Sequence, residues 1–207
     1  MRIGITCRPT QGGSGTVATE LDHELARQGH QVHSIISSLA YRLNVCGEDI
    51  FFHKVTLMAS PLFEYPLCSP ALAATMAEVV EGEELTVLHV HYALPHAVWA
   101  FLAEQMLGRI TLKVVTTLHR TDITVVGNDT SFHSITTWSL GQSDRATAVS
   151  AYLRDKAIRR FCCEDETVVI TTFVDTEEFH GEPISEEGGI LLQMRRRSSP
   201  TSLTFVR

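Results

Sequence analysis

Three short stretches of the chain bring together residue types that can hold or transform a ligand. The first is Gly12-Gly13-Ser14-Gly15, in which Gly13, Gly15 and Ala18 form a G-x-G-x-x-A arrangement. Glycines at that spacing let the backbone turn tightly and aim free N–H groups at an anion, so a phosphate or carboxylate is the natural guest. The second, Leu88-His89-Val90-His91-Tyr92-Ala93-Leu94-Pro95-His96, places two histidines two residues apart, on one face of a strand, with a third close behind. The third is Thr116-Thr117-Leu118-His119-Arg120-Thr121-Asp122, where hydroxyls, an imidazole and a carboxylate can direct hydrogen bonds at a polyhydroxylated or carboxylated ligand.

Each stretch also has a plainer reading. The glycine loop can exist for helix–sheet packing alone. The three histidines can be a metal set, although no acid or cysteine stands beside them, or buried imidazoles satisfied by neighbouring carbonyls. The threonine-rich segment can be a sheet edge with Asp122 closing a turn. A dinucleotide fold would also want an acidic residue at the end of the second strand for the ribose hydroxyls, and that place reads Ser37-Ser38, which weakens an NAD-dependent oxidoreductase reading.

The elements that must position these residues alternate. Val- and Ile-rich runs at 2–7, 32–36, 50–55, 87–91, 112–118, 146–149 and 168–171 read as strands. Between them, helical patterns run from Gly15 to Gln28 (Val17, Leu21 and Leu25 at i, i+4) and over 71–80, 95–107, 132–140 and 151–161. Gly29 supplies a helix stop. The alternation predicts an α/β fold, a Rossmann-like parallel sheet flanked by helices, and all three stretches then fall at the carboxyl ends of strands, where open α/β sheets bind ligands. The proline-containing stretch 60–70 reads as a loop. The expected organisation is one domain over 1–179 and a linker with an aberrant tail over 180–207, in which 190–194 resembles the first strand of a second domain.

Composition narrows the class. With 44% hydrophobic and 20% charged residues the chain is globular, and no apolar run approaches the ~20 residues of a membrane helix. The N-terminus lacks the features of a secretory signal, so a cytoplasmic protein without a membrane partner is expected. The formal net charge of -7 argues against general nucleic-acid binding, which needs a basic surface. Five cysteines, an odd number in apolar contexts, point to buried free thiols; the adjacent pair Cys162-Cys163 does not have metal-ligand spacing.

Taken together, the segments Ile3-Gly4-Ile5-Thr6-Cys7, Gly12-Gly13-Ser14-Gly15, Arg42-Leu43-Asn44, His91-Tyr92-Ala93-Leu94-Pro95-His96-Ala97-Val98, Thr116-Thr117-Leu118-His119, Thr121-Asp122-Ile123-Thr124 and Ser143-Asp144-Arg145 resemble the N-terminal domain of the N-acetylglucosaminyl-L-malate synthase family of retaining glycosyltransferases. The resemblance implies a GT-B architecture of two Rossmann-like halves, this half binding the acceptor. It implies L-malate and UDP-N-acetylglucosamine as substrates, the first step of bacillithiol biosynthesis, with no cofactor and no metal, and it is compatible with homo-oligomers in full-length members. By position it implies that Ser14, Tyr92 and Thr117 contact malate, that the N–H groups of Gly13 and Gly15 hold a carboxylate or the donor diphosphate, and that His119 is the catalytic residue beside the anomeric carbon.

Three departures from the family stand out. Arg120 replaces a glycine after the histidine, a costly change if that backbone is left-handed. Thr172 replaces an asparagine before Phe173-Val174-Asp175. After Met194, Arg195-Arg196-Arg197-Ser198-Ser199-Pro200 does not match the family's donor domain, so an inactive acceptor half is expected; a non-catalytic anion-binding module is the alternative from another class.

Overall fold

The computed structural model describes residues 1–10, 12–40, 42–43, 49–56, 68–108, 112–161, 167–174, 176, 179–180 and 195–196. The expected loop over 60–67, the strand over 190–194, most of the linker and tail, and Tyr41, Asn44, Cys46, Cys162 and Cys163 lie outside the described residues. The chain divides into two compact units, Met1–Thr171 and Thr172–Arg207.

The first unit is built on seven strands: β1 (Arg2–Thr6), β2 (Gln31–Ile36), β3 (Ile50–Lys54), β4 (Val87–His91), β5 (Lys113–Leu118), β6 (Arg145–Ala148) and β7 (Thr167–Val169). They form one sheet in the order β3-β2-β1-β4-β5-β6-β7, every neighbouring pair parallel. Among the described residues five α-helices lie between them: α1 (Ser14–Arg27), α2 (Cys68–Gly82), α3 (Val98–Leu107), α4 (Thr130–Gly141) and α5 (Ala151–Phe161). Because crossover helices cover both faces, the inner strands are largely buried on both sides. In β1, Ile3 and Ile5 pack with Val32, Ile36 and the α1 residue Ala18. Ile35, Leu88, Val90 and Val114 instead meet Met76 and Val80 of α2 and Ala100 and Ala103 of α3. A third cluster joins Leu118 and Ala148 to Leu140 of α4 and to Leu153, Ala157 and Phe161 of α5.

All seven expected strands are present, with ends shifted by a residue or two. The helices depart more. α2 begins at Cys68, three residues before the expected start, because a proline is tolerated in a helix's first turn and Pro70 sits there. α3 begins at Val98 rather than 95: Leu94, restricted by the following Pro95, is extended at φ -123°, ψ 130°, and Ala93–Ala97 forms a separate wide turn. Thr121–Val125 and Val126–Asn128 are helical turns with no apolar period in the sequence to announce them. In the second unit, Phe179–His180 (β8) and Arg195–Arg196 (β9) pair antiparallel, a ladder too short to leave a periodic signal. No helix among the described residues is long and apolar enough to cross a membrane.

The strand order reverses between β1 and β4: from β1 the chain builds outward to β2 and β3, then crosses back to β4. That switch point opens a crevice at the carboxyl ends of the two central strands.

Candidate functional site

A cavity of about 700 Å³ occupies the crevice. The loop after β1 contributes Cys7, Arg8 and Thr10 to its wall, the turn after β4 contributes Tyr92, Leu94, Pro95 and His96, and Trp99, Thr121 and Phe132 close it from the helical side.

The glycine loop delivers α1 to the cavity's edge. Gly13 stands at φ 60°, ψ -126°, a conformation that a side chain rarely adopts, and as the N-cap residue it brings no side chain to cap the helix. The N–H groups of its first turn therefore remain available to an anion, helped by the positive end of the helix dipole. Gly15 is there for space: a Cβ would lie 2.5 Å from the carbonyl oxygen of Thr10 and 2.9 Å from that of Arg8. Backbone conformation and steric space thus divide between the two glycines. Ser14 is buried, and its hydroxyl donates to the Tyr92 hydroxyl at 2.7 Å.

Tyr92 carries the most unusual backbone of the site, φ 90° and ψ 132°. For a residue with a side chain this costs on the order of 1–3 kcal/mol and persists only where the surroundings over-determine it. They do: its N–H donates to the Thr117 carbonyl at 3.0 Å, its own carbonyl accepts from Ala97 at 3.2 Å, and its hydroxyl is held by Ser14. The ring lies 5.0 Å from that of His119 and 5.9 Å from that of His96.

Behind Tyr92 runs a chain of imidazoles. His91 Nδ1 and His119 Nε2 are 3.0 Å apart, and the rings of His89 and His91 stack at 5.0 Å. Burial drives His89, His96 and His119 down to about 4. It also drives His91 well below its ordinary value, with further push from His89, His119 and His96. The cluster is uncharged at neutral pH, as mutually close imidazoles in a low-dielectric site must be. Asp122 receives the backbone N–H of His119 at 2.9 Å and is itself buried. Desolvation pushes its carboxyl up to about 7, against the N–H groups of His119, Leu94 and Ala93, which favour the anion. Among the described residues, the donor atoms of His89, His91 and His96 do not converge as a metal site requires.

Of the residues singled out from sequence, Tyr92 lines the cavity, Ser14 is bonded to it, Gly13 and Gly15 shape the adjoining helix start, and His119 touches the Tyr92 ring. Thr117 takes another place. Its hydroxyl sits between His89 at 2.7 Å and Thr147 at 2.6 Å, under the cluster rather than in the cavity wall. Arg120 is right-handed helical at φ -55°, ψ -40°, so replacing glycine costs no backbone strain here, and its side chain is exposed. Cys7 is a buried free thiol; burial and then the charge of Asp22 push it up to about 12, which leaves it a thiol rather than a nucleophile.

Arg8, Trp99 and Phe132 were not singled out from sequence. Arg8 follows β1 directly, and the rule that ligands gather beyond strand ends was the available signal for it. Trp99 and Phe132 reach the cavity from helices through tertiary packing, which leaves no local mark.

Comparison with known proteins now bears on this geometry. The family model for Glycosyltransferase Family 4 matches residues 11–178. The chain belongs to that family. It is 46% identical over 175 residues to N-acetyl-alpha-D-glucosaminyl L-malate synthase of Bacillus anthracis, an alignment that takes in 84% of this chain and 46% of that protein. The chain therefore spans about half the length of this curated relative. Among solved structures, a glycosyltransferase from Rickettsia africae ESF-5 superposes with a TM-score of 0.60 at 20% identity, covering 86% of this chain and 44% of that one. A lipopolysaccharide outer core galactosyltransferase superposes with a TM-score of 0.61 at 11% identity, covering 91% and 50%. At such identities the likeness is one of fold: the sheet and its helices have the Rossmann-like arrangement found in one half of GT-B glycosyltransferases.

Proposed function

We propose that this chain is the acceptor-binding half of a cytoplasmic retaining glycosyltransferase that moves N-acetylglucosamine from UDP-N-acetylglucosamine to L-malate. The observation that carries the reading is the 46% identity to the Bacillus anthracis synthase over 175 residues, 84% of this chain. The geometry agrees with a small dicarboxylate. Uncapped N–H groups at the start of α1 and the Tyr92 hydroxyl are directional donors, and Arg8 adds a cation to the same wall.

His119 acts in this reading as a neutral hydrogen-bonding group. Held uncharged by burial and oriented through its N–H to Asp122 and its ring contact with His91, it is placed to steady the sugar as positive charge develops. Thr117 positions His89 beneath the cluster rather than touching the acceptor. The departing diphosphate takes the acceptor's proton in this scheme, so no protein nucleophile or metal is needed.

The test has two parts. Calorimetry of the chain with L-malate is expected to show saturable one-to-one binding that weakens in Ser14→Ala and Tyr92→Phe. A fusion to the donor half of the Bacillus anthracis relative is expected to release UDP only when malate and UDP-N-acetylglucosamine are both present. A chain that ignores malate, in a fusion that releases no UDP with it, would overturn the reading.

A further inference from the structure

A second group of metal-ligating side chains lies away from the crevice. His33 of β2 pairs in register with Phe51 of β3, and Ile35 with His53, so His33, Ile35 and His53 share one face of the sheet. It is the face covered by α2, since Ile35 packs with Met76 and Val80. Glu83 comes from the turn just after α2, leading into the amino end of β4, whereas the site described above lies at the carboxyl ends of the strands. One donor atom from each of His33, His53 and Glu83 can be chosen so that all lie within 4.8 Å of one another.

The chemistry of the three suits a cation better than it suits their isolation. His33 Nδ1 and His53 Nε2 are 2.9 Å apart, and the rings stack at 5.2 Å. His33 is 2% exposed; its Nδ1 is the nitrogen that faces His53, and the Nε2 on the other side of the ring has no hydrogen-bond partner. Burial, with His53 as the next contribution, holds His33 below its ordinary range, and burial does the same to His53. For both facing nitrogens to bind a cation, the N–H proton shared between them must move to the other nitrogen of its ring. The nearby guanidinium of Arg2 is occupied by the Glu84 carboxylate at 2.5 Å and by the Glu83 carbonyl at 3.1 Å, which leaves the Glu83 carboxylate to the histidines.

We propose that His33, His53 and Glu83 form a binding site for a divalent cation of the zinc class, independent of the acceptor site, that ties the edge strand β3 to β2 and to the turn after α2. Two imidazoles and one carboxylate are an established zinc set, with water completing the tetrahedron. At zinc–ligand distances of about 2.1 Å, tetrahedral donors stand roughly 3.4 Å apart, so the two nitrogens must separate by a few tenths of an ångström. The exposed Glu83 side chain can close the remaining distance. Imidazole donors favour zinc, nickel or copper over magnesium or calcium. β3 is the sheet's edge, where a clip does most to stop fraying.

The test uses the 207-residue chain stripped with EDTA and titrated with zinc chloride by calorimetry, with Co(II) absorbance as a report of coordination. The expected result is one zinc per chain, a raised thermal midpoint reversed by EDTA, and no response to magnesium. His53→Gln and Glu83→Gln, both at side chains that reach solvent, are each expected to weaken zinc by roughly tenfold or more while keeping the metal-free midpoint. His119→Asn, in the other histidine cluster, is expected to bind zinc as before. Absence of zinc binding at millimolar concentration overturns the proposal, as does binding that survives His53→Gln and Glu83→Gln. Loss confined to His119→Asn assigns the ion to the crevice and overturns it too. Loss in His53→Gln with Glu83→Gln unchanged removes the carboxylate and, with it, the three-ligand site.

Discussion

Ser14 and Tyr92, 78 residues apart in sequence, meet hydroxyl to hydroxyl at 2.7 Å, joining the start of α1 to the end of β4. The bond makes them a unit, so their contributions to acceptor binding should not add. Ser14→Ala and Tyr92→Phe are each expected to weaken malate binding by about 1 kcal/mol. Since either change already breaks the shared bond, the double variant should lose clearly less than the sum. Calorimetry on the four proteins checks this, and strict additivity would show that the two hydroxyls act separately.

The two loop glycines should fail differently when replaced. Gly15→Ala sets a Cβ against the Thr10 and Arg8 carbonyls at 2.5 and 2.9 Å, and backbone cannot step aside as a flexible side chain can. A loss of roughly 2–3 kcal/mol in urea unfolding is expected, in the range of strained, overpacked sites. Gly13→Ala meets nothing within 4 Å and suffers only its φ of +60°. Its expected cost is about 1–2 kcal/mol. Equal losses would mean that the close approach of loop and helix does not govern this position.

How much of this was legible beforehand depended on whether the signal was local. Strands such as Val87–His91 announce themselves by composition, and the glycine spacing marked the α1 start correctly because both are properties of neighbouring residues. The helical turn over Thr121–Val125 has no apolar period to announce it, but Asp122 was legible as a residue that closes a turn, and its carboxyl does accept the His119 N–H. The hydrogen-bond partners of Thr117 were similarly hidden. A hydroxyl at a strand end suggests a ligand contact, but the register of β4, β5 and β6 gives it His89 and Thr147 as partners. Pairing of His33 with His53 across two strands was beyond reach for the same reason.

Buried titratable groups predict the pH dependence of stability. His89, His96 and His119 sit near 4 in the folded chain and burial holds His91 well below its ordinary range, against an ordinary 6.5. Their contribution is fully present above about 6.5 and is lost as pH falls toward 4, because the unfolded chain then binds more protons. Two carboxyls run the other way. Burial lifts Asp22 to about 8, only partly offset by the Ser34 hydroxyl, and lifts Asp122 to about 7. Their contribution is present below about 4 and is lost as pH rises through the folded values. Four imidazoles outweigh two carboxyls on the acid side, and only the carboxyls act above 6.5. Stability should therefore peak near pH 6.5 and decline on both sides, each unopposed group changing it by about 1.4 kcal/mol per pH unit at most. Thermal melts from pH 5 to 8.5 measure the curve. Asp22→Asn should flatten its alkaline limb, and a limb that stays steep would move the cause elsewhere.

His119 should matter more to turnover than to acceptor affinity. It does not form part of the cavity wall; it touches the Tyr92 ring at a centroid distance of 5.0 Å, bonds His91 at 3.0 Å and is oriented by Asp122. In the proposed role a group so placed meets the acceptor weakly in the ground state, and its effect is felt when positive charge appears on the sugar, a state in which a preoriented neutral group that turns a lone pair toward that charge is worth several kcal/mol. In the fusion to the donor half of the Bacillus anthracis relative, His119→Ala is expected to lower kcat by roughly a hundredfold or more while changing the malate KM by less than about threefold. His119→Asn, which keeps a lone pair of similar reach, should recover part of the loss; a purely packing role would not discriminate between the two variants in this way. Malate binding to the 207-residue chain alone should be nearly unchanged in both. Steady-state kinetics of UDP release decide the matter, and a His119→Ala fusion with full turnover would remove the residue from the chemistry.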